Sequence, residues 1–147
     1  MTQTPVRRAP LRASELRVGQ SWTETVVEDL TRTQIVMYAG ASGDFEPIHH
    51  DEVYARHTGH RTIFAHGMLT MGMTARVVTD LVGDGRLIRY GGRLTAQVWP
   101  GDALTATTTV ERVSEDEGVP TVDLAIVTTN QQGIVVFDGR ATARVDP

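Results

Sequence analysis

At 147 residues the chain has the length of one domain built around a single core. Its 40% hydrophobic content, net charge of -4 and pI near 5.7 suit a globular protein and give no bulk attraction to nucleic acid. It has no cysteine, and all fourteen basic residues are arginine, which excludes disulfides, thiolate nucleophiles, Schiff-base lysines and a P-loop lysine.

Residues 1–14, rich in Thr, Pro and Arg, read as a flexible N-terminal arm, leaving residues 15–147 as a single domain. Met1 to Arg17 holds no apolar run, so no secretory signal is expected there. No stretch approaches the length of a membrane span, and a cytoplasmic protein is expected.

A short strand is predicted over Ser21 to Glu28. Thr31-Arg-Thr-Gln34 has the spacing of a capping box, and the helix it opens carries Ile35, Tyr38 and Ala39 before stopping near Gly40 to Gly43. Ser42 to His50 reads as a loop, because Gly43 and Pro47 interrupt regular structure. Asp51 is placed to cap a short helix running through Arg56, with Gly59 closing it in a left-handed conformation.

The longest helical candidate spans Gly67 to Leu81. Met68, Leu69, Met71, Met73, Ala75, Val77, Val78 and Leu81 occupy most of its circumference, which predicts a helix enclosed by protein. The methionines are expected first as core packing, with a flexibility that also suits an acyl tunnel.

Four strands are predicted next, over Leu87 to Trp99, Ala103 to Val113, Val119 to Thr129 and Ile134 to Val145. Pro100-Gly101-Asp102, Glu115 to Gly118 and Asn130 to Gly133 form the turns between them. Long strands joined by tight turns are antiparallel neighbours, and one apolar helix beside one such sheet must be buried against it. The expected class is α+β, a curved antiparallel sheet around a central helix.

Chemistry concentrates between the first helix and the long one. Asp44 precedes His49 by five residues, and His66-Gly67 opens the long helix. A carboxylate and an imidazole are general acid–base groups, and a backbone N–H at a helix start can stabilise a developing oxyanion. His49, His50, Asp51, His57 and His60 are also metal-ligand types. No regular ligand spacing such as HExxH accompanies them, so no metal is expected.

Tyr38-Ala-x-x-Ser42-Gly43-Asp44-x-x-Pro47-Ile48-His49-x-Asp51, followed by Ala65-His66-Gly67-Met68-Leu69-Thr70, resembles the MaoC-like dehydratases and (R)-specific enoyl-CoA hydratases. The resemblance implies the hot-dog fold and hydration of a trans-2-enoyl thioester to an (R)-3-hydroxyacyl thioester, or the reverse. It implies Asp44 and His49 as the catalytic pair and Gly67 N–H in the oxyanion hole. Ser42, Glu46, His66 and Met68 are then expected beside the substrate. Glu46 departs from the family pattern, which has Asn there.

The resemblance further implies no cofactor, with CoA or acyl carrier protein present only as the thioester handle. Arg86, Arg89 and Arg93 are candidates for CoA phosphates, with solvated strand ends as the default. The expected assembly is a homodimer, or a heterodimer with another hot-dog subunit. In the second case this chain is the catalytic half of a hydratase for steroid side-chain or long-chain acyl substrates. An acyl-CoA thioesterase and a non-catalytic acyl-binding protein are the remaining alternatives on this fold.

Overall fold

The computed structural model describes residues 9–147. In chain order its main elements are β1 (Ser21–Val27), α1 (Arg32–Ser42), α2 (Glu52–His57), α3 (Gly67–Val82), β2 (Leu87–Leu94), β3 (Leu104–Asp116), β4 (Val119–Asn130) and β5 (Val135–Arg144). The five strands form one antiparallel sheet in the order β1-β3-β4-β5-β2, leaving β1 and β2 as its edges.

Alternation along β3 sets the sheet's inner face. Leu104, Ala106, Thr108 and Val110 are buried while the threonines between them are half-buried, the period-2 signature of a sheet packed on one side. The β3–β4 hairpin turns on only two residues, Glu117 at φ 49° and Gly118 at φ 83°. Two consecutive positive-φ residues make the tight primed turn that matches strand twist, so Glu115 and Asp116 stay in the ladder. Asp102 N–H donates to the Trp99 carbonyl at 3.0 Å across Pro100-Gly101, with Gly101 at φ 92°.

The predicted strand from Leu87 to Trp99 ends at Leu94 instead. Beyond it the chain leaves the ladder, and the Val98 carbonyl accepts the Ala65 N–H at 2.8 Å. That bond fixes the segment entering α3. Gly92 and Gly139 face each other across β2 and β5, and a β-carbon on either would collide with the backbone opposite or with the buried Phe137 ring.

Helix α3 lies against β1, β2, β3 and β5. It supplies Val77 to one apolar cluster, with Leu30, Ile35, Ala65, Val98, Leu104 and Val136, and Val78 and Val82 to a second, with Val110, Leu124, Ile126 and Ala143. The helix is not enclosed all round in this chain, as its composition predicted. Met68, Gly72, Arg76 and Asp80 form an exposed stripe at spacing four, because residues four apart share one face. Met68 is 56% exposed and so is not core, whereas Met73 packs against the first cluster.

The predicted caps are in place. Gln34 N–H donates to Thr31 Oγ1 at 3.1 Å, and Thr31 N–H donates to Gln34 Oε1 at 2.8 Å. Asp51 Oδ1 accepts from Val53 and Tyr54 N–H at 2.9 and 3.0 Å. Of the expected N-terminal arm, residues 1–8 lie outside the described residues. Leu11 to Ala13 are tied to the other end of the chain, with Asp146 N–H donating to the Leu11 carbonyl and Ala13 N–H to the Asp146 carbonyl. Among the described residues no helix is long and apolar enough to cross a membrane.

Candidate active site

Helix α1 ends at Gly43, whose φ of 75° reverses the chain, with its N–H on the Ala39 carbonyl. Helix α1 thus takes in Ser42, which the sequence placed in the loop. Ser42 Oγ accepts Asp44 N–H at 3.2 Å, and Asp44 Oδ1 accepts Glu46 N–H at 3.3 Å. Both bonds fold the loop upon itself. Pro47 then opens a single 3-10 turn, Pro47–His49, which turns the His49 ring inward until only 7% of the residue is exposed.

The His49 ring has one defined partner. Its Nδ1 lies 2.7 Å from the Phe64 carbonyl. A carbonyl can only accept, so Nδ1 carries the proton and Nε2 presents a lone pair. Burial lowers the His49 pKa from its ordinary 6.5, and a charge on His66 would act in the same direction. The Phe64 carbonyl, Asp44 and Glu46 oppose the shift without cancelling it. At neutral pH His49 is therefore an uncharged base.

His66 closes the group from the other side. Its Nε2 lies 3.0 Å from the Asp44 carbonyl, and its ring stacks on His49 with centroids 3.8 Å apart and planes 27° apart. Asp44, His49 and His66 each bring a ligand-type atom within 4.8 Å of the others.

Gly67, next in the chain, is the first residue of α3, so its N–H has no acceptor within the helix and lies at the positive end of the helix dipole. A cleft of about 340 Å³ adjoins it, lined by Phe64, Ala65, Gly67, Thr70, Leu94 and neighbouring residues of the segment after β2. A larger cleft of about 1250 Å³ lies between β1 and the other half of α3, by Trp22, Arg76 and Asp80. Residue 77 is ~15 Å along the helix from Gly67 at 1.5 Å per residue, so the smaller cleft is the one at the helix start, where Gly67 lines it and Asp44, His49 and His66 do not.

The structure thus gathers Asp44, His49, His66 and Gly67 at one place. Asp44 and Glu46 are exposed, as is Met68 at the start of α3. His66 is buried and makes its contacts within the protein, to Asp44, His49 and Tyr38. His50 and His57 are exposed, His50 bonding the Phe45 carbonyl at 3.0 Å, and His60 packs on Phe64. Arg86 is held by Asp146 at 2.8 Å, while Arg89 and Arg93 are exposed on β2. Two participants escaped sequence reading. Phe64 acts through a backbone carbonyl, which leaves no signature, and Leu94 meets Gly67 only once β2 is folded against α3.

The family model described as "MaoC like domain" matches residues 13–132. An (R)-specific enoyl-CoA hydratase from Rhodospirillum rubrum is 33% identical over 133 residues, 89% of each chain. Among solved structures, the R-hydratase PhaJ1 from Pseudomonas aeruginosa superposes with a TM-score of 0.82 at 29% identity, covering 93% of this chain and 86% of that one. A chain of the ChsH1–ChsH2 complex from Mycobacterium tuberculosis gives 0.70 at 26% identity, covering 88% and 97%. With the family model matched over most of its length and the five-stranded hot-dog sheet in place, this chain belongs to the MaoC-like domain family.

Proposed function

We propose that this protein adds water to a trans-2-enoyl thioester, CoA being the favoured carrier, to give the (R)-3-hydroxyacyl thioester, and catalyses the reverse dehydration. The observation that carries this reading is the buried His49, its Nδ1 held by the Phe64 carbonyl, with a ring nitrogen and an Asp44 carboxylate oxygen within 4.8 Å of each other. The similarity to hydratases over 89% of the chain supports it.

In this reading one water lies between His49 Nε2 and Asp44. As its oxygen bonds to C3, its proton passes to Nε2, while Asp44 accepts the second water hydrogen and orients the attack. The π electrons of the C2–C3 bond move toward the thioester carbonyl, whose oxygen gains negative charge. Gly67 N–H donates to that oxygen, a donor of a kind worth on the order of 3 kcal/mol. The proton on His49 then goes to C2 on the same face, completing syn addition. General acid–base groups of this type each contribute roughly 10²–10⁴-fold. The reaction is redox-neutral, so the substrate's own thioester handle is the only carrier group it calls on.

The assembly we favour is a pair of hot-dog subunits. Edge strand β2 has one open side and carries Ile88 and Leu94, both exposed, with Leu94 lining the Gly67 cleft. Pairing there would cover the edge. Similarity to a chain of a two-component complex keeps a heterodimer, with this chain as its catalytic half, as the second form of the same reading. A cytoplasmic site of action in lipid metabolism fits an acyl-CoA substrate.

The deciding experiment follows loss of the conjugated-thioester absorbance across short, long, branched and steroidal enoyl-CoAs, with chiral analysis of the product. Hydration with the thioester intact is the expected outcome. Release of free thiol would instead identify a thioesterase, and no turnover of any member would overturn the reading. Size measurement of the purified protein, alone and co-expressed with a second hot-dog chain, separates the two assemblies.

A further inference from the structure

We propose that His66 is the positioning residue of this site: a neutral imidazole that suspends the Asp44 backbone from the start of α3 and floors the His49 ring. The inference deepens the hydratase reading, and its tautomer can be tested without that activity.

His66 is 1% exposed, and its Nδ1 is buried without a hydrogen-bond partner. An atom so sealed does not reach substrate, so the residue acts through its neighbours. Nε2 faces the Asp44 carbonyl at 3.0 Å and must be the donor of that bond. A second proton, on Nδ1, would create a buried cation with no acceptor, stacked on another imidazole. The ring is therefore the neutral Nε2–H tautomer.

Three placements converge on this one residue, two through its ring and one through its backbone. The bond to the Asp44 carbonyl sets the height of the acid's loop. The 3.8 Å stack with His49, and the Tyr38 ring of α1 at 5.0 Å, hold the ring plane. Its own carbonyl accepts Leu69 and Thr70 N–H at 3.1 and 3.3 Å, which fixes the first turn of α3 and so the direction of Gly67 N–H. The spacing between the acid–base pair and the oxyanion donor is thus set by a single residue. Neutrality also matters to turnover, because His49 takes up a proton while lying against this ring.

The test combines nitrogen-15 NMR of the wild-type histidines with His66→Phe, His66→Asn and His66→Gln. NMR should show His66 protonated at Nε2 alone at neutral pH. Phe keeps a stacked ring but no donor, and should lower kcat roughly 10²-fold with KM little changed, the scale of a misplaced reacting group. Gln, whose amide nitrogen can occupy the Nε2 position, should recover a substantial part of that loss. Asn, whose amide sits at the Nδ1 position, should not.

A His66 protonated at Nδ1, or at both nitrogens, overturns the proposal. So does a folded His66→Phe enzyme with wild-type kcat, or a Gln variant no better than Asn. If the Phe variant fails to fold, the Gln–Asn comparison and the wild-type spectrum decide. A wild-type protein with the expected tautomer but no hydration would sink the functional reading while leaving the placement of His66 intact.

Discussion

A δ-methyl carbon of Leu94, on the last residue of β2, occupies the place a β-carbon on residue 67 would take. A side chain at position 67 therefore needs the exposed Leu94 side chain to turn aside, besides narrowing the approach of a substrate. Gly67→Ala is expected to displace Leu94, lowering turnover and costing less than about 1 kcal/mol of stability, because the end of that side chain can move. Adding Leu94→Ala should return most of the stability. Thermal unfolding of the single and double variants checks the coupling, and equal losses in both would show that Leu94 is not the obstacle.

Asp44 and His49 should separate activity from stability differently. Asp44 is exposed and its Oδ1 accepts one backbone N–H, which an asparagine can also do. Asp44→Asn should cut kcat/KM at least ~10²-fold while shifting stability by less than ~0.5 kcal/mol. His49→Ala leaves a cavity and strips the Phe64 carbonyl of its donor, for a loss of about 2 kcal/mol as well as activity. His49→Asn, which can retain a donor near the Nδ1 position, should be as inactive but more stable than the alanine variant. Denaturant melts alongside steady-state assays test all three.

The acid limb of the kcat/KM profile should lie below pH 6.5. In the proposed mechanism His49 works as a neutral base, and burial lowers its folded pKa, so protonation sets in only under the ordinary histidine value. The stability consequence has the same sign. Between the unfolded value of 6.5 and the lower folded value the unfolded chain binds more protons. Stability from this group is full above pH 6.5 and is lost as pH falls through the folded pKa. A limb centred above 6.5 would contradict a buried neutral His49.

Glu46 stands where the family pattern has Asn, and its charge raises the His49 pKa. Glu46→Gln should therefore move the acid limb further down, by less than about one pH unit for a solvent-exposed charge. The pH profile of the variant measures this directly. A limb that stays put would mean that solvent screens the Glu46 charge from the ring.

Glu52 ties α2 to α1 and to the segment before α3. Its carboxylate accepts from Thr62 Oγ1 at 2.8 Å and from Arg32 at 3.0 Å, and its pKa is lowered to about 2, by the Thr62 hydroxyl first and Arg32 second. Stability from this carboxylate is present above its ordinary 4.5 and should be lost as pH falls through about 2. Glu52→Gln should flatten that part of the pH–stability curve. An unchanged curve between pH 4.5 and 2 would show that the network adds nothing to the fold.

Much of the site was legible because its parts are local. Gly43, Pro47, the Asp44–His49 spacing and the Gly67 helix start are short-range signals whose chemistry is readable in order along the chain. The helix caps and hairpins were legible for the same reason, since each is specified within a few residues. Helix α3 was misread in one respect. Methionine and alanine counted as apolar all round, yet Met68, Gly72, Arg76 and Asp80 align into an open stripe, which composition around a wheel did not separate from the buried faces. Strand β2 was overextended because Ala96, Val98 and Trp99 continue an apolar pattern after the ladder has ended.

By itself the sequence determined the class of fold and the order of elements, and it pointed to Asp44 and His49 as the candidate acid–base pair and to Gly67 as the helix start, since these follow from periodicity, turn chemistry and a matched motif. Only the tertiary structure decided the tautomer of His49, the stacking of His66 beneath it and the approach of Leu94 to Gly67. Each of those depends on a backbone carbonyl or a distant side chain brought into place by chain reversal. Partners separated by 15 residues or more leave no periodic trace, and the two histidine–carbonyl contacts exist only after the Asp44–His49 loop folds back onto the segment that opens α3.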